Sequence, residues 1–170
     1  MSPKNPKREQ VAGWIKAVLR DEIMHRCPKC FNFDEHSDEH FQDHHINGDC
    51  SISKYWNLIR LCKSCHSECN TQMNKTKLAD DIKRLKKILF RQFIGPASYD
   101  LLLQMYEHES VLALPYTART LLDLKLAEVE QENPGSFGSA KAKPTFTVYR
   151  LTEQGKEWAR ELNLSWKQER

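Results

Sequence analysis

The sequence predicts an α+β chain built in two parts joined by a basic helix. Three observations predict it. Two Cys-x-x-Cys pairs, Cys27–Cys30 and Cys62–Cys65, bracket the first part. Within and just after that bracket the residues read as strand, loop, strand, helix. After Gly95-Pro96 the pattern changes to helix, helix, hairpin and a last helix. The expected organisation is a first domain over residues 1–75, a basic connecting helix over 76–94 and a second domain over 95–170.

Length and composition limit what such a chain can be. Its 170 residues suffice for one ordinary domain or two small ones. A module below roughly 70 residues rarely stabilises itself by its core alone, so a metal staple is useful. No apolar run follows Met1-Ser-Pro-Lys, so no signal peptide is expected and a cytoplasmic location is. No window approaches the ~18 apolar residues of a membrane span, so no membrane partner is expected. Paired Cys-x-x-Cys motifs in a cytosolic chain point to zinc rather than to disulfides. The net charge of +3 permits a nucleic-acid partner without arguing for one.

The first domain is expected to begin with a helix over residues 8–25. Val11, Trp14, Ile15, Val18, Leu19 and Ile23 form its apolar stripe. Cys27 to Cys30 then makes a tight turn, and with Cys62 and Cys65 it matches a tetrahedral structural zinc site. Cys50 and Cys69 are left over as expected free thiols. The acidic, His-rich segment from Phe31 to Asp43 reads as a solvated loop. A helix there would bring His36, His40 and His44 onto one face. Phe41 to Ile46 reads as a strand, Asn47-Gly48 as a turn in which both residues tolerate positive φ. Tyr55 to Cys62 reads as the returning strand, with a helix from Cys65 onward.

Asp43-His-His-Ile46, Asn57-Leu58, Leu61-Cys62-x-x-Cys65-His66 and the upstream Cys27-Pro-Lys-Cys30 together resemble the HNH endonuclease family. The resemblance covers roughly Cys27 to Lys75 and implies a zinc-stapled ββα-metal (His-Me) finger. It places His45 on the general base and Asn57 on the residue that orients the base through a hydrogen bond. It places His44 and His66 on ligands of a catalytic divalent metal. Asn70, one turn beyond His66, stands where many members have a histidine. An amide oxygen is the weaker ligand, which favours a hard, hydrated ion, Mg²⁺ or Mn²⁺. Asp43 is the expected acceptor for a histidine N–H. The chemistry suits these residue types. A neutral imidazole can take a proton from water near neutral pH, and a divalent cation neutralises charge on the phosphate and on the departing 3′ oxygen. Successive strand residues point to opposite faces, so His44 and His45 are expected to differ in role.

Residues 75–94 read as a basic helix. Leu78, Ile82, Leu85 and Leu89 keep a heptad-like rhythm, surrounded by Lys75, Lys77, Lys83, Arg84, Lys86, Lys87 and Arg91. A packed helix with a solvated face, a phosphate contact and a homodimer seam all remain open. In the second domain Ser98 is the expected cap of a helix. Pro115 opens a helix from Tyr116 to Leu126. Ala127 starts one strand and Thr145 to Leu151 is its return. Thr152 to Lys156 turns into a last helix ending near Leu162. The run Leu124 to Val129 and the run Leu151 to Lys156 resemble a winged-helix DNA-binding domain. That resemblance implies a short helix before the recognition helix, for which Val111 to Leu114 is barely long enough. It turns Tyr116, Thr117, Arg119 and Thr120 toward double-stranded DNA, with Lys141 and Lys143 reaching it from the wing.

The function expected from these readings is metal-dependent hydrolysis of DNA by an HNH endonuclease with a structural zinc, delivered by a C-terminal DNA-binding module. A DNA-binding regulator with a catalytically silent zinc finger is the alternative from another class. A zinc-stapled adaptor for protein or RNA is a third.

Overall fold

The computed structural model describes residues 9–71, 75–132, 146–162 and 164. The chain is α+β with two small antiparallel sheets and divides into two compact units, Met1–Phe93 and Ile94–Arg170. Among the described residues no helix is long and apolar enough to cross a membrane.

The first unit opens with helix α1, Gly13–Ile23. It starts later than the apolar stripe suggests, and Trp14, counted in that stripe, is about half exposed at 47%. The buried face is Ile15, Leu19, Glu22 and Ile23. Met24 and His25 both take positive φ, which ends the helix and turns the chain into the Cys27 hairpin. There the Phe31 N–H donates to the Cys27 carbonyl at 2.7 Å and the Cys27 N–H to that of Asn32 at 3.0 Å. A short helix α2, Ser37–His40, occupies part of the segment expected to be loop.

Strand β1, Phe41–His45, pairs antiparallel with β2, Leu58–Cys62, with His45 opposite Leu58 and Phe41 opposite Cys62. The expected returning strand is shorter by three residues: Tyr55–Asn57 forms a 3₁₀ turn instead. The cause is local, since the Asn57 N–H donates to the Lys54 carbonyl. In the turn after β1 only Gly48 takes positive φ (76°); Asn47 does not. Helix α3, Lys63–Thr71, follows β2 directly and begins two residues before Cys65. Ile59 and Leu61 of β2 pack with Cys65 and Cys69 of α3 and with Ile82 of the next helix in one apolar core.

That next helix, α4, spans Lys75–Ile94. Ile82 and Leu89 are buried, and Leu78 and Leu85 pack against the same core. This stripe is therefore a packing face. Lys86, grouped by sequence with the basic surround, is fully buried. Its Nζ donates to Glu22 Oε2 at 2.6 Å and lies 3.4 Å from the centre of the Tyr55 ring. The Tyr55 hydroxyl donates to the other Glu22 oxygen. Burial pushes the Glu22 carboxyl up and the Lys86 ammonium down, each against the pull of its partner. Removing one member strands a buried charge, so Lys86→Ala is expected to destabilise this unit by about 3–5 kcal/mol. A urea midpoint equal to that of the wild type would contradict this.

In the second unit helix α5, Pro96–His108, is capped by Gly95 at φ 81°. Ser98, the expected cap, lies inside the helix and donates to the Thr117 carbonyl at 2.8 Å. Val111 to Leu114 is not helical. Strand β3, Ser110–Ala113, takes its place and pairs with β5, Thr147–Leu151. A four-residue apolar segment lacks the length to nucleate a helix and gains a ladder of hydrogen bonds as an edge strand. Helix α6, Pro115–Asp123, and strand β4, Ala127–Glu132, follow, and the sheet order is β3-β5-β4.

Thr152 caps the last helix, α7, Glu153–Glu161, by accepting the Gly155 N–H at 3.1 Å. Gly155 is thus helical rather than part of a turn. A Cβ there would stand 2.0 Å from the Leu126 carbonyl oxygen, a backbone atom that cannot step aside. Gly155→Ala is expected to cost about 1–3 kcal/mol or more and to lower the melting temperature of this unit by roughly 5–20 °C. An unchanged melting curve would contradict the close approach.

Candidate functional site

The Cys27–Cys30 hairpin and the β2–α3 junction bring four thiols together. The sulfurs of Cys27, Cys30, Cys62 and Cys65 all lie within 4.8 Å of one another. Tetrahedral zinc with Zn–S bonds of about 2.3 Å needs sulfurs about 3.8 Å apart. The Cys30 and Cys62 sulfurs are 3.7 Å apart, and all four cysteines are free thiols. The cluster therefore fits a structural metal such as zinc. Its electrostatics are prepared unevenly. Burial would raise the Cys27 thiol, but the backbone N–H groups of Cys62, Cys30 and Lys29 outweigh it and bring the pKa down to about 7. Burial pushes Cys62 and Cys65 up. A bound cation reverses that penalty by binding the thiolates. Cys69, left over in the sequence, is buried in the same core, and Cys50 is half-buried.

A second site lies at the far end of β1. A cleft of about 210 Å³ is lined there by His44 and His45, by the turn Ile46 to Gly48, by Cys69 and Asn70 of α3, and by Leu78, Ala79 and Ile82 of α4. The two histidines start on opposite faces of the strand. Because His45 is the last residue of β1, both reach this one cleft. The His44 ring meets the His66 ring edge-on at 5.4 Å between centres. Asn70 Nδ2 lies 3.3 Å from His66 Nδ1. Three residues expected as metal ligands are therefore adjacent. Burial, with the nearby His66 and His45, pushes His44 down to about 4. His44 is accordingly a neutral imidazole at pH 7, the form that binds metal.

Asn57 is buried but reaches His45 through the backbone. Its Oδ1 accepts the Asn47 N–H at 3.0 Å and its Nδ2 donates to the Ile52 carbonyl at 2.9 Å. Its own carbonyl accepts the Ile46 N–H at 2.8 Å. Three bonds thus pin the chain on either side of the loop that His45 leads into. Asp43, the expected acceptor for a histidine N–H, faces Arg60 across the sheet, with 3.3 Å between Oδ1 and Nη1. The alternative His36–His40–His44 set does not assemble. His40 Nδ1 lies 2.7 Å from Asp34 Oδ2, and His44 turns to His66.

Of the residues expected to face DNA, Tyr116 and Arg119 are exposed on α6. Thr117 and Thr120 are half-buried, and the Thr117 carbonyl is occupied by Ser98. Lys141 and Lys143 lie outside the described residues. Sequence reasoning missed Ser53, whose Oγ is 3.3 Å from His45 Nε2, and the α4 wall of the cleft. Neither carries a motif. Ser53 sits in a polar connection, and Ala79 is one more small residue on an amphipathic helix. Comparison with known proteins finds no matching family model, no matching curated protein and no matching solved structure.

Proposed function

We propose that the chain is a metal-dependent HNH-type DNA endonuclease with a structural zinc. The observation that carries this reading is the cleft at the end of β1, where His45 lies beside the His44, His66 and Asn70 cluster. In this reading the strand–loop–strand–helix core is a ββα-metal finger. His45 takes the proton from the attacking water. Asn57 holds the loop that aims His45. His44, His66 and Asn70 would hold a divalent cation, Mg²⁺ or Mn²⁺, which would supply charge neutralisation for the reacting phosphate. The second unit acts as a winged-helix-like reader of double-stranded DNA. Its antiparallel β3-β5-β4 sheet and the exposed Tyr116 and Arg119 of α6 support that role. Its departure from the winged-helix pattern is the missing short helix between α5 and α6, where β3 lies.

The polarity of the products tests the chemistry. Duplex DNA incubated with Mg²⁺ or Mn²⁺ is expected to yield 3′-hydroxyl and 5′-phosphate ends that ligase rejoins without treatment. Ends of the opposite polarity would contradict the proposed attack. One observation favours a second reading, a DNA-binding regulator with a silent finger: the weak ligand Asn70 leans on His66. That reading predicts DNA binding with no cutting under any divalent metal.

A further inference from the structure

We infer that Ser53, held by Glu9, is the positioning residue that sets the tautomer and rotation of His45. The geometry stands by itself; its catalytic consequence rests on the nuclease reading above. Ser53 is 5% exposed, deep in the loop between the two strands. Its backbone N–H donates to Glu9 Oε2 at 2.7 Å, and its hydroxyl donates to the Glu9 carbonyl at 2.9 Å. The Glu9 N–H in turn donates to the Cys50 carbonyl at 3.1 Å. The segment before α1 is thereby tied to the loop at three points. The same Ser53 oxygen lies 3.3 Å from His45 Nε2.

Proton accounting decides the direction of that last bond. A serine hydroxyl has one hydrogen, and a backbone carbonyl can only accept. The Ser53 hydrogen is therefore committed to Glu9, and Ser53 Oγ can only accept from His45. Nε2 must carry the ring hydrogen, which leaves the lone pair of the neutral imidazole on Nδ1. In the proposed reaction Nδ1 is then the atom that receives the water proton. Asn57 fixes the backbone after His45, and Ser53 fixes the ring itself, so the two act on different degrees of freedom.

The test combines ring-nitrogen NMR of zinc-loaded, ¹⁵N-histidine-labelled full-length protein with single-turnover and steady-state cleavage. His45 is assigned by its loss in His45→Gln. The wild type is expected to show the Nε2–H tautomer with a ring hydrogen protected from exchange. Ser53→Ala is expected to lose that protection and to lower kcat on the order of 10- to 100-fold, with KM within about twofold. Ser53→Thr, which keeps the hydroxyl, is expected to restore both. An Nδ1–H tautomer in the wild type, or wild-type kcat in Ser53→Ala, would overturn the assignment. If the wild type cuts no DNA, the nuclease reading falls, and the NMR spectra of wild type and Ser53→Ala alone decide the positioning.

Discussion

His45→Ala is expected to abolish DNA cleavage while duplex binding persists. A positioned general base contributes about 10²–10⁴-fold, which is enough to drop a slow nicking activity below detection. The His45 ring lines the cleft but is not one of the apolar residues that form the core between β2, α3 and α4. Binding, carried by phosphate contacts elsewhere, should hold, and its salt slope should be unchanged. Plasmid nicking rates and gel shifts on the same preparations check both halves. Loss of cutting and of binding together would make His45 a structural residue.

Removing the metal from the four-cysteine cluster is expected to unfold the first unit. Structural zinc sites contribute on the order of 10–16 kcal/mol in small zinc-dependent modules. That is as large as the whole stability of an ordinary domain, roughly 5–15 kcal/mol. The cluster joins the Cys27 hairpin to the β2–α3 junction, so its loss frees the helix that carries His66 and the end of the strand that pairs with β1. A strong chelator, or Cys65→Ser, should collapse the NMR dispersion of the first unit's amides while those of the second unit persist. Metal analysis should find one tightly held ion per chain in the starting protein. A first unit that stays folded after stripping would contradict the staple.

What the sequence reveals and what it hides follow from range. The Cys-x-x-Cys pairs and the 20-residue helix α4 are legible because short spacings and apolar periodicity are local signals. Strand β1 is legible for the same reason. Lys86 is not. A lysine within a run of lysines reads as surface, and the distant Glu22 and Tyr55 make its burial tolerable. Ser53 is hidden because the residue that holds it, Glu9, is 44 positions away in the sequence. Val111 to Leu114 could not be typed from four residues; pairing with β5 decides it. Gly155 reads as a turn residue, yet it is needed because the Leu126 carbonyl passes over a helix. The histidine pair shows the limit most clearly. Strand alternation separates His44 from His45, and only the position of His45 at the end of β1 returns both to one cleft.

The most direct test of the account is conversion of supercoiled plasmid by zinc-loaded protein, with Mg²⁺, Mn²⁺ or EDTA added. Nicked or linear DNA is expected with either metal and none with EDTA, and no product from His45→Ala in any condition. Retained DNA binding with no cutting under any metal would contradict it.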